Sequence, residues 1–320
     1  MGKERDISVD LLKFAAALLI VNSHMGWLYD TGKFLATGGA IGDALFFFCS
    51  GYTLFLGRER RFDNWYKRRI SRIYPAIFCW AIVMAFIFHK HPGIDSIILY
   101  GGGWFVTCIM VYYILIYFIR KYLIHYLWQV LGVSLIASTA LFFTYFNDEE
   151  VIYSSNFRLF FFFPFMLLGS IIGRPTGEKK FNTKFDALML VITVATFYIL
   201  QYLAKRPGLN GLQMVSVFIL LLVTYYSWKV CNCPALCRAY NSKKWGFAIK
   251  FIGGLCLEMY IVQHPLFTTK MNCIFPINIP LMIIIVIVVA YLLRCLANIF
   301  SQIFKDQDMD WKKVFKLLSY

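Results

Sequence analysis

Long hydrophobic runs alternate with short polar segments along the whole chain. A window of roughly 20 residues, the length that a helix needs to cross the hydrocarbon core of a bilayer, predicts ten spans. They fall near residues 7–29, 40–56, 75–89, 104–120, 126–146, 157–173, 185–204, 211–228, 249–268 and 280–300. The pattern therefore predicts an all-α fold, a polytopic membrane helix bundle of about ten transmembrane helices.

The amino-acid composition agrees with this pattern. Hydrophobic residues make up 60% of the 320 residues and charged residues only 15%, proportions that are typical of polytopic membrane proteins and exclude a soluble core. The longest connections have about 20 residues, too few for a separate soluble domain, and the sequence shows no internal repeat. We therefore expect one domain over residues 1–320.

The basic residues are concentrated in alternate connections. Residues 58–72 hold seven lysines and arginines, residues 174–184 hold four and residues 229–244 hold four, whereas each opposite connection holds at most two. Because lysine and arginine accumulate in cytoplasmic loops, we predict that both termini are cytoplasmic and that the chain is a multi-pass protein of the inner or plasma membrane. The net charge of +15 then reflects topology, and the expected partner is membrane lipid, with no nucleic acid.

The first span contains three ionisable residues, Asp10, Lys13 and His24. Lys13 and His24 are eleven residues apart, which at ~100° per residue puts them on one helix face, about 16 Å apart along the axis. Ionisable groups in a membrane face the bundle interior or a wet cavity, and a neutral imidazole is the usual general base near pH 7. Alternatively, the side chains of Asp10 and Lys13 reach the interface, and His24 caps a helix interaction.

Ser50 and Gly51 stand in the middle of the second span, at the end of the aromatic run LFFFCSGY. Small residues at this point allow close approach by a neighbouring helix or by a narrow ligand. Helix packing alone is an adequate explanation of the pair.

Three arginines, Arg68, Arg69 and Arg72, precede Pro75 at the predicted mouth of the third span. Three guanidinium groups at an entrance suit bidentate recognition of phosphate. The alternative is that they serve only as positive-inside charge.

These motifs, in their order and spacing, resemble the acyltransferase 3 family of integral membrane acyltransferases. A basic residue, ten residues and a histidine occur on the first helix (Lys13 to His24), an aromatic run closes on Ser-Gly, and the Arg-rich segment KRRISRIYP ends at Pro75. Similar segments farther on are GGWFVTCIMVYY, FFPFMLLGSIIG and GGLCLEMYIVQHPLF. The resemblance covers nearly the whole chain.

The resemblance implies a single transmembrane acyltransferase domain. Such proteins transfer an acyl group, typically acetyl from acetyl-CoA, to a hydroxyl or amine of a glycan or lipid-linked sugar. The resemblance also implies acyl-CoA as co-substrate, bound by cations at its phosphates and by a narrow route for its pantetheine arm. It implies His24 as general base toward the acceptor hydroxyl, and a transient acyl-histidine is less favoured. The predicted CoA-binding residues are Lys13, Ser50, Gly51, Arg68, Arg69 and Arg72.

Two features depart from the family pattern. The family commonly has arginine where this chain has Lys13, so a point charge replaces a bidentate clamp. The chain also has no segment that resembles the soluble hydrolase-like domain of some members, so we expect acceptor handling within the bundle or by a partner.

The ninth span contributes Glu258, Tyr260 and His264. If this span runs outward, His264 lies at roughly the level of His24, and Glu258 lies about 9 Å deeper. We predict His24, Glu258 and His264 as catalytic residues. Tyr260, four residues from His264 and on the same face, is a predicted substrate-binding residue. The alternatives are a structural ion pair of Glu258 with Lys13 or an arginine, and a helix-kink or capping role for His264 before Pro265.

Two further residues at the outer ends of spans complete the predicted acceptor site. Trp104 offers an aromatic face to a sugar ring, although an interfacial anchor is the simpler interpretation. Arg158 suits an anionic or diphosphate acceptor, although its long side chain also fits simple contact with the interface.

No metal site is expected from the sequence. The cysteines of CNCPALC, residues 231–237, have no standard zinc spacing and no nearby histidine ligands. His89 and His91 flank an outer loop, where we expect them to be solvated.

Two other functions are alternatives to acyl transfer. One is a transporter or flippase of lipid-linked sugar, which the absence of a repeat and the clustering of basic residues at one cytoplasmic mouth disfavour. The other is a polymerase or ligase of glycan chains, which the short outer loops disfavour. An acyl-CoA-dependent change in product mass separates both from acyl transfer.

Overall fold

The computed structural model describes residues 6–30, 32–57, 59–90, 93–146, 157–174, 180–305 and 307–316. Within these ranges the chain is helical, with no strand. A π-helical turn, Phe142–Phe146, continues the sixth helix. The helices are α1 Ile7–His24, α2 Gly39–Leu56, α3 Phe62–Ile87, α4 Ile94–Tyr100, α5 Gly103–Tyr122, α6 Leu127–Leu141, α7 Arg158–Phe161, α8 Phe163–Ile172, α9 Thr183–Leu203, α10 Leu212–Cys231, α11 Pro234–Asn241, α12 Lys243–Gly254, α13 Cys256–Leu266, α14 Asn278–Ile303 and α15 Trp311–Val314.

The helices confirm the prediction of a polytopic helical bundle. In the described part of the chain, eight of them are long and apolar enough to cross a membrane. The ninth predicted span is divided into α12 and α13, which are bent by 71° at their junction, and the pair raises the number to nine if it forms one span. The sixth predicted span is shorter than expected, an apolar stretch over Arg158–Ile172.

The third span begins earlier than the sequence predicts. Pro75 was expected to open it, but α3 starts at Phe62 and Pro75 lies inside the helix. Proline removes one backbone hydrogen bond without ending a membrane helix whose neighbours pack around it. A helix of 26 residues is about 39 Å long, so α3 exceeds the ~30 Å hydrocarbon core.

The chain divides into two compact units. The first unit comprises the described parts of Met1–Lys13, Ala40–Glu59 and Leu115–Ile249. Within it, α9 packs along α10, and α8 packs against α6 and α10. A cluster of fully buried phenylalanines fills the space around α7 and α8: Phe47, Phe142, Phe157, Phe161, Phe162 and Phe165.

Glycines bring α2 and α8 into backbone contact within the first unit. A Cβ atom on Gly51 would collide with the carbonyl oxygen of Met166, and one on Gly169 would collide with the carbonyl oxygen of Phe48. The two helices are therefore as close as backbones can come, the arrangement that small residues permit in membrane bundles.

Buried polar pairs also hold the first unit together. The ammonium of Lys229 on α10 lies 2.6 Å from a carboxylate oxygen of Asp186 on α9, whose side chain is 1% exposed. The hydroxyl of Tyr240 donates to the buried carboxylate of Asp10 over 2.7 Å. Lys229 is one of the four basic residues of the connection 229–244, and it therefore also has a structural partner.

The second unit comprises the described parts of Phe14–Gly39, Arg60–Ile114 and Lys250–Tyr320. Here α14 packs against α3 and α13, and α13 also contacts α3. The segment after α1 is fixed by side-chain amides: Asn278 donates to the carbonyl oxygen of Leu28 over 2.8 Å, and Asn272 donates to that of Trp27 over 3.0 Å. These bonds hold the end of α1 beside the end of α13 and the start of α14.

Candidate active site

The imidazole rings of His24 and His264 contact each other within the second unit. Their centroids are 4.5 Å apart and the ring planes make an angle of 64°, an edge-to-face arrangement. His24 is the last residue of α1, and His264 lies in the last turn of α13. The structure thus brings together two side chains that the sequence placed only at the same membrane level.

Helix ends position both histidines. After His24 the chain turns immediately, with the amide of Met25 donating to the carbonyl oxygen of Asn22 over 3.0 Å. On α13, Pro265 follows His264, and the chain leaves the helix at Phe267. His24 is half-buried and His264 is exposed at the protein surface, so the pair is open to a substrate. Two imidazoles in contact can together accept and hold one proton.

Glu258 forms a bidentate ion pair with a partner that the sequence alone did not identify. Its two carboxylate oxygens accept from Nε and Nη2 of Arg294 over 2.6 and 2.7 Å. The partner is therefore an arginine, one of the two alternatives for a structural pair. Arg294 is a residue that the sequence analysis missed, although an arginine in the apolar run IIIVIVVAYLLRCLANIF is itself a signal of an intramembrane partner. The predicted catalytic role of Glu258 stays a prediction.

Tyr260 lies beside the start of α5 in the second unit. Its ring packs on Phe105, with centroids 5.4 Å apart, and Phe105 in turn contacts Trp104 edge-to-face at 6.0 Å. Gly103, whose φ of 64° lies in the left-handed region, leaves room for the tyrosine, because a Cβ there would lie 2.9 Å from its hydroxyl oxygen. Trp104 and Tyr260, two predicted substrate-binding residues, are thus joined through one aromatic ring.

The three arginines of α3 have different environments. The guanidinium of Arg69 lies over the ring of Trp65, 4.0 Å from its centroid, and donates to the carbonyl oxygen of Trp65 over 3.3 Å. Arg68 and Arg72 are exposed, and since they are four residues apart they share one face of the helix. Arg68 and Arg72 therefore have side chains open to a ligand, whereas Arg69 is engaged in packing.

The other predicted residues belong to the first unit. Lys13 is half-buried on α1, and Ser50 is half-buried beside the closely packed Gly51. The close approach of α2 and α8 bears out helix packing at Gly51. Arg158 is half-buried at the start of α7 and interacts electrostatically with Asp43 of α2. Asp43 was also missed, although a carboxylate within the apolar run GGAIGDALFFF is the corresponding signal.

No metal centre is visible in the part of the chain that the structure describes. Across those residues, no group of three or more His, Cys, Asp and Glu side chains is arranged to hold a metal ion. Cys231 and Cys233 are buried and Cys237 is half-buried. His89 is exposed, whereas His91 and Arg58 lie outside the described residues.

Comparison with known protein families gives a match over most of the chain. The sequence profile of the acyltransferase 3 family, described as an acyltransferase domain, matches residues 6–297, a range that contains both histidines, the α3 arginines and Arg294. A search of curated proteins and a search of solved structures found no match.

Proposed function

The chain belongs to the acyltransferase 3 family and is built as a multi-pass membrane protein, and from this premise we propose that it transfers an acyl group, most simply acetyl, from acyl-CoA to a hydroxyl of a cell-surface glycan or lipid-linked sugar. The observation that carries the proposal is the contact of His24 with His264 at 4.5 Å. It supplies an accessible base within a helical membrane domain of an acyl-transferring family.

The proposed reaction needs one proton acceptor. His24 removes the proton from the acceptor hydroxyl as its oxygen attacks the thioester carbonyl carbon. The C–S bond then breaks, and the imidazolium returns the proton to the departing CoA sulfur, so that an ester and free CoA result. Direct transfer requires no acyl-enzyme. A transient acyl-histidine is the less favoured variant.

His264 assists this proton transfer in the proposal. Its ring packs edge-to-face against His24 and so restricts the orientation of the base. It also offers a second site for the proton, which lowers the free-energy cost of forming the imidazolium. Glu258 is proposed to support the pair indirectly, because it lies six residues before His264 and its carboxylate is engaged by Arg294.

The exposed face of α3 is proposed to take the phosphates of the acyl donor. Arg68 and Arg72 present two guanidinium groups on one face, a geometry suited to phosphate oxygens. Arg69, stacked on Trp65, contributes charge and holds the helix surface in place. The assignments of Lys13, Ser50 and Gly51 to the donor remain predictions.

The aromatic contact of Trp104, Phe105 and Tyr260 is proposed to receive the acceptor sugar, since flat apolar ring faces suit the C–H faces of pyranoses. The assignment of Arg158 to an anionic acceptor remains a prediction. The distribution of basic residues supports a location in the plasma or inner membrane with the α3 arginines on the cytoplasmic side.

Acyl transfer can be tested in inverted membrane vesicles that contain the chain, incubated with radiolabelled acetyl-CoA and a glycan or lipid-linked sugar extract. Base-labile label in the glycan is expected, and His24→Ala should reduce its rate of formation by about 100- to 10,000-fold, the usual contribution of a general base. The matched control is His125→Ala, which removes an exposed histidine of the first unit.

Three outcomes are informative. Label that depends on His24 but not on His125 supports both the activity and the base. Label unchanged by His24→Ala rejects the base and leaves the acyl transfer. Folded protein that gives no label with any acyl-CoA rejects the proposed activity and favours transport of an unmodified lipid-linked sugar.

A further inference from the structure

Arg294 lies in α14, the most hydrophobic of the helices that are long enough to span a membrane within the described residues, yet hydrogen bonds tie its guanidinium to two partners. Besides the two bonds to Glu258, its Nη2 donates to the carbonyl oxygen of Gly254 over 2.9 Å. The side chain of Arg294 is 18% exposed and that of Glu258 is 2% exposed. The guanidinium therefore has matched partners, because Nη2 donates to both Glu258 and Gly254 while Nε donates to Glu258.

A buried ion pair of this kind is weak evidence for a role in stability alone. Desolvating two ions costs several kcal/mol per ion, and an apolar pair of similar volume often does as well or better. Intramembrane ionisable residues more often mark functional sites. The geometry indicates a more specific role for Arg294, because Gly254 and Glu258 lie on either side of the bend between α12 and α13.

The break lies between α12 and α13, at Leu255, where the chain bends by 71°. Gly254 is the last residue of α12, and Glu258 is in the first turn of α13. Arg294 binds both, so it fixes the point and direction at which α13 starts. A guanidinium can do this because its planar fork reaches a carboxylate and a carbonyl at once, which the point charge of a lysine does less well.

The start of α13 determines the position of His264. Glu258 and His264 are six residues apart on one helix, about 9 Å along its axis, so Arg294 cannot act on the imidazole directly. The helix between them is packed, with Met259 and Val262 fully buried. A tilt at its first turn would therefore be carried to its last turn as a displacement of the His264 ring.

We propose that Arg294 is a positioning residue that, by clamping Gly254 and Glu258, sets α13 so that His264 meets His24. The expected effect of Arg294 on kcat rests on the proposed acyl transfer. Its expected effect on the position of the His264 ring does not. Replacing Arg294 should separate the two rings, whether or not the acyl acceptor has been identified.

The geometric test uses chains that carry His24→Cys and His264→Cys, treated with a short bis-methanethiosulfonate crosslinker. The linked peptide is quantified by mass spectrometry, which separates it from products of the native cysteines. We expect efficient linkage with Arg294 present, loss of most of it with Arg294→Gln, and partial recovery with Arg294→Lys. The matched control is Lys229→Met, which breaks a buried ion pair of the first unit and should leave linkage in the folded protein unchanged.

A second variant separates positioning from simple charge balance. The double change Glu258→Gln with Arg294→Gln removes both charges, so the protein escapes the cost of an orphaned carboxylate. We expect thermal stability to recover relative to Arg294→Gln, while the linkage of positions 24 and 264 stays low. If linkage recovers together with stability, Arg294 only neutralises Glu258, and the positioning role is overturned.

The kinetic arm uses the intact histidines. Arg294→Gln should lower kcat by about 10- to 100-fold, since a displacement of about 1 Å at a reacting group has this effect, with the KM for acyl-CoA unchanged. Unaltered linkage together with a normal kcat overturns the positioning role and leaves the proposed function intact. Linkage that depends on Arg294 in a chain without acyl transfer supports the positioning role and rejects the function.

Discussion

The rings of His24 and His264 lie 4.5 Å apart at an angle of 64°, although 240 positions separate them in the sequence. One ends α1 and the other lies in the last turn of α13. Two imidazoles in contact can together hold one proton, which neither ring does alone with the same ease.

Replacing His264 by phenylalanine tests the contribution of its nitrogen atoms. His264→Phe keeps an aromatic ring against His24 and removes the second proton acceptor, so we expect the thermal unfolding midpoint in detergent to stay unchanged. The rate of acyl transfer should fall by about 10-fold or more, because acid–base assistance is lost while packing is kept. Equal rates for His264→Phe and the parent chain would show that only the ring contact matters.

The contact of α2 with α8 predicts opposite effects of two glycine substitutions. Gly51→Ala should destabilise the protein by about 1–3 kcal/mol, because the new methyl group meets the backbone of Met166, which cannot move without shifting α8. Gly132→Ala on α6 is the matched control: its Cβ meets no other described atom within 4 Å, so removing glycine flexibility should stabilise the helix by about 0.5–1 kcal/mol.

Thermal unfolding of the two variants in the same detergent measures this difference. A Gly51→Ala protein as stable as the parent would contradict the close approach of the two helices. A defect in acyl transfer at unchanged stability would instead support a ligand route beside Gly51.

Substitutions of the α3 arginines should affect either the KM for acyl-CoA or thermal stability. Changing Arg68 and Arg72 together to glutamine should raise the KM for acyl-CoA by about tenfold (~1.4 kcal/mol) and weaken its dependence on salt, because exposed guanidinium groups interact with phosphate through screened charge. Arg69→Lys should lower thermal stability, since it loses the stacked position over Trp65, worth about 0.5–2 kcal/mol.

The control for the α3 variants is Arg61→Gln, at a position that is 84% exposed and pairs with Asp63 at 3.4 Å. It should change neither the donor KM nor the unfolding midpoint. An Arg61 effect as large as that of Arg68 and Arg72 would mean that total basic charge, and not the α3 face, binds the donor.

The effects of substituting Asp186 and Lys229 on the free energy of unfolding should not add. Lys229→Met leaves a carboxylate buried at 1% exposure without its cation and should cost about 3–5 kcal/mol. Adding Asp186→Leu should restore most of that loss, because an apolar pair of similar volume needs no counter-charge. A double variant no more stable than Lys229→Met would show that the ammonium stabilises the carboxylate little.

The sequence by itself determined the membrane-spanning helices, because bilayer thickness imposes a length and hydrophobicity that can be seen residue by residue. Hydropathy was a weaker guide where helices end: the third span starts at Phe62, well before Pro75, and the ninth is broken at Leu255. Helix ends depend on hydrogen bonds and packing from distant segments, such as the Arg294 bond to Gly254, which no local pattern contains.

The sequence also singled out His24, Glu258 and His264, because ionisable residues are conspicuous in apolar runs. Only the tertiary structure decided which of them meet. Helical periodicity gives the face and level of a side chain on its own helix, but not which helix lies opposite. That choice made Arg294 the partner of Glu258 and His264 the neighbour of His24, because long-range packing of α13 and α14 selects one among several charges that the sequence alone allows.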